Sequence, residues 1–340
     1  MRPARLDHVR PGDYNLTPNG RSRLPALPAA GISGKAGGGL AAAGGASPGA
    51  RGLPPVRERE VAMISPGRAE LTVTDNVPFG ETGQRSLHAL TLEHPGWSEW
   101  HPGQFVMLRP KSWGQDMTWA RPLSICRVTP RGLVLFFQVV GRGTERMARL
   151  RAGDRVILWG PLGTGFAVEA RTPTLLLAGG IGIAPFAGYT DVHPEPARLS
   201  MLFGHSLPSS CYPTDALARR IGLERFRERS PEDLPRFQDM VKKHMKDCVE
   251  RNGLALACGP MPFLRFIWRY ALEIGLRTQL SLEQRMACGV GACLGCVSVT
   301  SRHWADPEKA GLPVQTCTSG PVFWAADLDL DARIAQGGAA

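Results

Sequence analysis

The chain has 340 residues, 43% of them apolar, with 40 Gly, 29 Pro, 8 Cys and a formal net charge of +10. At roughly 100–200 residues per domain this implies two or three domains with ample material for a core, and excludes a chain that is disordered or fibrous throughout. The positive excess does not argue for nucleic acid: residues 1–60 hold nine Lys/Arg and four Asp/Glu, which is half of it, only six of the 40 basic residues are Lys, and the rest is spread thinly as surface charge.

The longest apolar run, Thr174 to Phe186 (TLLLAGGIGIAPF), is broken by glycines and falls short of the ~20 residues that cross a bilayer, so no membrane insertion is expected. The opening MRPARLDHVRPGDYNL carries charge without an apolar stretch behind it, which does not support a secretory signal. Four of the eight cysteines fall between Cys288 and Cys317. Such clustering suits a metal or cluster site in a reducing compartment better than a disulfide scaffold, and a cytoplasmic protein is expected.

In chain order, the first 60 residues contain 11 Gly and 8 Pro and almost no periodic apolar pattern. They bury too little to offset their ordering entropy, so residues 1–62 are expected to be disordered or an over-extended N-terminus, with Met63 as the alternative start. From Ala69 the runs AELTVTDNV, SLHALTLEH, QFVMLRP, LSICRVT, LVLFFQVV and DRVILWGPLG alternate between turn residues and predict a small antiparallel β barrel over 65–168. Next, TPTLLLAGGIGIAPF reads as a buried strand, a glycine turn and a helix start, ARLSMLFGHS and GLALACGP as further strands, and MPFLRFIWRYALEIGL as an amphipathic helix. Strand–helix alternation predicts a parallel-sheet α/β nucleotide-binding domain over 169–280. Between the second and third of those strands, Pro208 to Asn252 reads as helical, with Phe237, Met240, Val241, His244 and Cys248 at the spacing of a surface helix. The last part, with a small domain at 281–330, is Cys/Gly-rich and reads as poor in core residues, so something other than hydrophobic burial is expected to hold it.

Cys288-Gly-Val-Gly-Ala-Cys293-Leu-Gly-Cys296 followed by Cys317 is C-x4-C-x2-C with a distant fourth cysteine, the plant-type [2Fe–2S] spacing. Three thiolates from one tight loop converge on a two-iron unit and the fourth closes the second iron, while Gly289, Gly291 and Gly295 let the loop fold close and aim backbone N–H groups at sulfur. The alternatives are a zinc knuckle, for which paired C-x2-C units are the norm and only Cys293 to Cys296 is present, and unrelated buried cysteines. Cys126, Cys211 and Cys248 read as packing or surface residues.

Arg121-Pro122-Leu123-Ser124 starts one barrel strand, and Gly141-Arg142-Gly143-Thr144 opens a helix after another. An Arg beside a hydroxyl can grip a diphosphate, and a glycine turn into a helix N-terminus offers it backbone donors; RPLS alone reads equally as a proline-started edge strand with a solvated Arg, and the two motifs in one barrel strengthen the diphosphate reading. Gly179-Gly180-Ile181-Gly182, after the strand TLLLA, permits close approach of a pyrophosphate, or is merely a tight strand-to-helix connection. Cys258-Gly259-Pro260 ends another parallel strand and would face the same crevice, where Cys258 either flanks a nicotinamide or is a small buried thiol.

The order RPLS and GT, then AGGIGIAP, then ACGPMP, then SLEQRMACGVGACLGC resembles the ferredoxin-NADP reductase superfamily with an appended [2Fe–2S] loop. Ser281 to Cys296 in particular resembles the electron-transfer subunits of class B, NAD-linked dihydroorotate dehydrogenases, and the likeness covers about residues 65–325. It implies an antiparallel FAD-binding barrel, a parallel-sheet NAD domain and a small C-terminal cluster domain. By the same resemblance Arg121, Pro122, Leu123, Ser124, Phe136, Phe137, Gln138, Gly143 and Thr144 bind FAD, Gly179, Gly180, Gly182, Cys258, Gly259 and Pro260 receive NAD, and Cys288, Cys293, Cys296 and Cys317 ligate the cluster. The implied partner is a catalytic FMN-containing subunit that oxidises dihydroorotate in de novo pyrimidine (UMP) biosynthesis, in a heterotetramer of two copies each. Electrons would pass from that FMN through the cluster to FAD, the converter between one-electron and two-electron chemistry, and on to NAD+, with no side chain acting as acid or base. Two departures stand out: a long stretch between Cys296 and Cys317, and a helix-forming insert in 205–252 where relatives carry an acidic, glycine-rich strand. No Arg follows His205-Ser206 to hold a 2′-phosphate, which favours NAD over NADP. The alternatives are a diaphorase-type subunit of a hydrogenase or of a ferredoxin-dependent transhydrogenase, and a relay subunit that no longer binds NAD.

Overall fold

The computed structural model describes residues 67–82, 85–302, 304 and 306–332, so the expectations for residues 1–62 and Met63 lie outside the described residues. Six strands, β1 (Gly67–Thr82), β2 (Arg85–Leu92), β3 (Phe105–Pro110), β4 (Arg121–Thr129), β5 (Gly132–Gln138) and β6 (Arg155–Leu162), close an antiparallel barrel in the order β1-β2-β5-β4-β3-β6. Alternation sorts their side chains: Val73, Val106, Leu108, Leu133, Leu135 and Leu158 fill the interior, and a short helix α1 (Arg142–Ala148) caps it with Met147. The outward residues Phe105 and Met107 of β3 are also buried, so their face of the barrel is covered by other parts of the chain.

After the barrel come β7 (Thr174–Gly179), α2 (Ala184–Val192), β8 (Leu199–His205), α3 (Thr214–Ala218), β9 (Gly222–Arg227), α4 (Asp233–Glu250), β10 (Leu254–Cys258), α5 (Met261–Ile274) and β11 (Thr278–Ser281). The hairpin β12 (Val297–Val299) and β13 (Pro313–Gln315) leads through α6 (Thr316–Ser319) to β14 (Val322–Trp324). The six-stranded sheet runs β14-β11-β10-β7-β8-β9, parallel except for β14 at one edge. The unbroken apolar run of β7 is explained by cover on both faces: Leu176 packs with Phe186 and Tyr189 of α2, while Leu175 and Leu177 pack with Val241 of α4 and Leu264 and Ile267 of α5. A left-handed Gly275 (φ +69°) stops α5.

Two expectations are corrected. The stretch 208–252 is not helical throughout: it contains strand β9, whose exposed Arg/Glu-rich edge position leaves no apolar alternation to read, followed by the expected helix α4, which buries Phe237, Val241, Met245 and Cys248 and leaves His244 half-buried against Glu224 (2.8 Å). The C-terminal part is not poor in core. Leu282, Val314, Phe323, Ala325, Leu328 and Leu330 join the core under α5, and the buried Trp268 indole donates to the Ala325 carbonyl at 2.9 Å. Cys126, Cys211 and Cys248 are all buried, as packing residues.

Candidate functional site

In the register of β3 and β4, Ser124 stands opposite Phe105 and Pro122 opposite Met107, so the side chains of Pro122 and Ser124 share the outer barrel face with that pair. Leu123 instead packs against the barrel core. Arg121 lies at the end of the strand with its guanidinium 5.1 Å from the centre of the Trp113 ring, its Nη1 donating to the carbonyls of Trp119 (2.7 Å) and Ala120 (3.3 Å). Among the described residues it has no carboxylate partner, and burial together with the charge of Arg142 lowers its pKa. An Arg desolvated beside a second Arg is one that an anion would stabilise.

The glycine turn meets that Arg. A Cβ on Gly143 would lie 2.4 Å from Arg121 Nε, so the absence of a side chain at 143 is what lets the guanidinium lie over the N-terminus of α1. This cradle fits a diphosphate. Thr144 plays another part than a free ligand: its hydroxyl accepts from the N–H groups of Val140 (2.9 Å) and Gly141 (3.2 Å) and donates to the Gly141 carbonyl (3.0 Å), so it builds the turn. On β5, alternation separates the expected trio. Phe136 faces outward, edge-on to Phe79 (5.4 Å), whereas Phe137 is in the barrel, stacked on His88 (5.5 Å). Gln138, half-buried, shares the outward parity of Phe136.

At the carboxyl end of the parallel sheet a pocket of about 380 Å3 is lined by Gly179, Gly180, Pro260 and Phe263, together with Gly204, His205, Ser206, Glu228, Leu234, Phe237 and Gln238. Gly180 has φ +54° with open space where a Cβ would be, so it serves backbone conformation and access to the pocket. Gly182 and Gly259 serve packing: a Cβ at 182 would meet the Cys258 carbonyl oxygen at 2.2 Å, and one at 259 the Gly179 Cα at 3.0 Å. Cys258 ends β10 opposite Ser281, and burial pushes its thiol up to about 12, so it stays protonated. Sequence reasoning missed Glu228, Phe237 as a pocket wall, and Trp113. Recognising β9 would have pointed to Glu228, since an acid just beyond the end of a parallel strand is a familiar ribose ligand.

Cys288, Cys293 and Cys296 lie on the loop between β11 and β12, and the β12–β13 hairpin returns Cys317, in α6, to them, with Thr316 N–H on the Cys296 carbonyl (2.6 Å). Backbone hydrogen bonds link the cysteines two by two, Cys293 N–H to Cys288 Sγ and Cys317 N–H to Cys296 Sγ. Backbone donors point inward: Val290 and Cys293 N–H at Cys288 Sγ (3.4 Å each), Gly291 at Cys317 Sγ (3.2 Å), Cys317 at Cys296 Sγ (3.4 Å). Burial pushes the Cys288 thiol up, but the N–H groups of Val290 and Cys293 outweigh it and bring it to about 7; burial and the Cys296 side chain push Cys317 up to about 12. Gly289 (φ +73°), Gly291 (φ +80°) and Leu294 (φ 55°) are the left-handed residues of this loop. Four cysteines linked two by two, with N–H donors to sulfur, fit a two-iron cluster.

The profile of the iron-sulfur cluster binding domain of dihydroorotate dehydrogenase B matches residues 283–329. A dihydroorotate dehydrogenase B (NAD(+)) electron transfer subunit of Listeria monocytogenes is 33% identical over 237 residues, 67% of this chain and 87% of that protein. The chain belongs to this family of electron transfer subunits. The corresponding subunit of Caldanaerobacter subterraneus subsp. tengcongensis is 28% identical over 243 residues, 71% of this chain and 92% of that one. Among solved structures, a chain of the NADH-dependent reduced ferredoxin-NADP oxidoreductase shares the fold at a TM-score of 0.63 and 23% identity, covering 78% of this chain and 91% of that one. The ferredoxin-NADP+ reductase of Plasmodium falciparum shares it at 0.51 and 13% identity, covering 62% and 92%. As a member of the dihydroorotate dehydrogenase B electron transfer family, the chain is an oxidoreductase subunit with an iron-sulfur cluster binding domain. No helix among the described residues is long and apolar enough to cross a membrane.

Proposed function

We propose that this subunit carries electrons from the FMN of a dihydroorotate-oxidising catalytic subunit to NAD+, through a [2Fe–2S] cluster and FAD, in de novo pyrimidine biosynthesis in the cytoplasm, within an assembly of two copies of each chain. The observation that carries the reading is that the paired cysteines sit against the same outer barrel face that presents Pro122 and Ser124: Cys296 and Cys317 pack with Phe105, Met107 and Leu162. When bound, the cluster supplies one-electron transfer and the flavin exchanges single electrons for a hydride.

The chain's own residues have positioning roles. Cys288 with Cys293, and Cys296 with Cys317, would each hold one iron, and the inward N–H groups would tune its potential. Arg121 and the N-terminus of α1 would take the FAD diphosphate, with Gly143 leaving room for the guanidinium and Thr144 holding the turn. Pro122, Ser124, Phe136 and Gln138 would face the flavin from the outer barrel surface, and Leu123 and Phe137 would support it from inside. Gly179, Gly180 and Pro260 would line the NAD site, with Gly182, Cys258 and Gly259 packed as its floor.

The pocket that survives beside α4, with Glu228 in its lining, favours an NAD acceptor over a relay that has lost the nucleotide. The test is anaerobic co-expression with the catalytic subunit. Dihydroorotate-dependent NADH formation by the complex, absent from either chain alone, is expected; a complex loaded with iron, sulfide and FAD that forms no NADH refutes the reading. Stoichiometric NADH should bleach the flavin, and a flavin that stays oxidised would leave the relay.

A further inference from the structure

Besides the packing of Cys296 and Cys317, the cluster loop is seated on the barrel through Cys288 and Gly289. With its N–H groups turned inward at sulfur, the loop directs carbonyl groups outward, and each needs a partner where water is excluded. The Cys288 carbonyl finds one 129 residues away in sequence: the indole N–H of Trp159, on β6, donates to it at 2.9 Å. Beside that bond, Gly289 lies so close to the barrel that a Cβ there would meet Met107 Cγ at 2.4 Å and Leu162 Cδ1 at 3.1 Å. Met107 is wholly buried although it faces out of the barrel, because the cysteine loop lies over it.

Register gives these contacts a direction. Met107 of β3 stands opposite Trp159 of β6 on one side and opposite Pro122 of β4 on the other. Pro122, Met107 and Trp159 therefore form one row across the outer face, two strand spacings or roughly 10 Å from end to end. One end belongs to the flavin motif, the middle touches Gly289, and the far end bonds the first cluster cysteine. Resting on the FAD and cluster reading above, we propose that Trp159 and Met107 are positioning residues that clamp the cluster loop to the flavin-bearing barrel face and thereby set the separation between flavin and cluster.

The test uses the co-expressed holoenzyme with Trp159→Phe, which keeps an aromatic side chain on the barrel face but deletes the indole N–H together with one of its two fused rings. Hydrogen exchange at amides 289–293 should accelerate about fivefold, the loss of one neutral hydrogen bond. In anaerobic stopped-flow, electron passage from flavin to cluster should slow several-fold while flavin reduction by NADH and the iron-to-FAD ratio stay as in wild type. The magnetic interaction between the paramagnetic flavin and the reduced cluster, read by EPR, should weaken in parallel. Unchanged exchange overturns the proposal, and so does faster exchange with unchanged flavin-to-cluster transfer. Should Trp159→Phe lose its cluster, Met107→Ala, which opens a gap under Gly289, decides: the same slowing supports the clamp and wild-type transfer refutes it. A wild-type complex without iron, sulfide or FAD would instead refute the underlying cofactor reading.

Discussion

Gly143→Ala separates binding from folding. The residue sits in the first turn of α1, its φ needs no glycine, and an alanine there should leave the apoprotein as stable as wild type or stabilise it by about 0.5 kcal/mol. The added methyl, however, would lie 2.4 Å from Arg121 Nε and 2.8 Å from its Cζ and Nη2. Because the obstructed atoms are the end of a flexible side chain, the guanidinium swings away at little cost to the fold, and its hold on the FAD diphosphate is lost. A hydrogen bond to a charged group contributes about 1.5–3 kcal/mol, so FAD affinity should fall roughly 10- to 150-fold. The assay is flavin-fluorescence titration of the apoprotein alongside its thermal midpoint. Arg121→Ala should lose a similar amount of affinity, and the double variant little more than either single one, since both remove the same contact. Wild-type affinity in Gly143→Ala would refute the assignment of Arg121; a lowered apoprotein midpoint would refute the claim that the glycine serves the ligand rather than the helix.

Other outcomes follow from the same geometry. Cys317→Ser should abolish the cluster's visible absorption and EPR signal while leaving FAD bound, since the barrel motif does not involve α6; full iron content would contradict the paired-cysteine assignment. Glu228→Gln should raise KM for NADH about tenfold by weakening a charge-assisted bond to the ribose and should narrow the preference over NADPH, measured by steady-state flavin reduction; unchanged constants would place the ribose elsewhere. His205 is buried, and burial with the nearby Arg227 and Arg225 charges lowers its pKa from 6.5. The unfolded chain therefore takes up this proton first, and stability should fall as pH drops below about 6.5. Denaturation midpoints at about pH 8 and about pH 5.5 should converge in His205→Asn, and an undiminished pH effect in that variant would remove His205 as its source.

Features set by local chemistry were legible in the amino-acid order. The C-x4-C-x2-C loop is a short-range constraint, and the glycines around it answer to backbone turns that the structure contains at Gly289 and Gly291. The six barrel strands and the run TLLLA announce themselves because burial on one face or two writes its period directly into a few adjacent residues. Strand β9 escaped, since an exposed edge imposes no such period, and the C-terminal core was underrated because its apolar residues are scattered singly and meet only under α5.

What the tertiary structure alone decided is which side chains face each other. Phe136 and Phe137 are neighbours in sequence yet lie on opposite sides of the barrel wall, Gly143 matters because Arg121 of another strand lies over it, and Trp159 reaches Cys288 across 129 residues. Ligand types and strand periods are properties of a few consecutive residues. Strand register, barrel closure and the seating of one layer on another are equilibria over the whole chain, and they determine whether residues of the right chemistry come within reach of the same ligand.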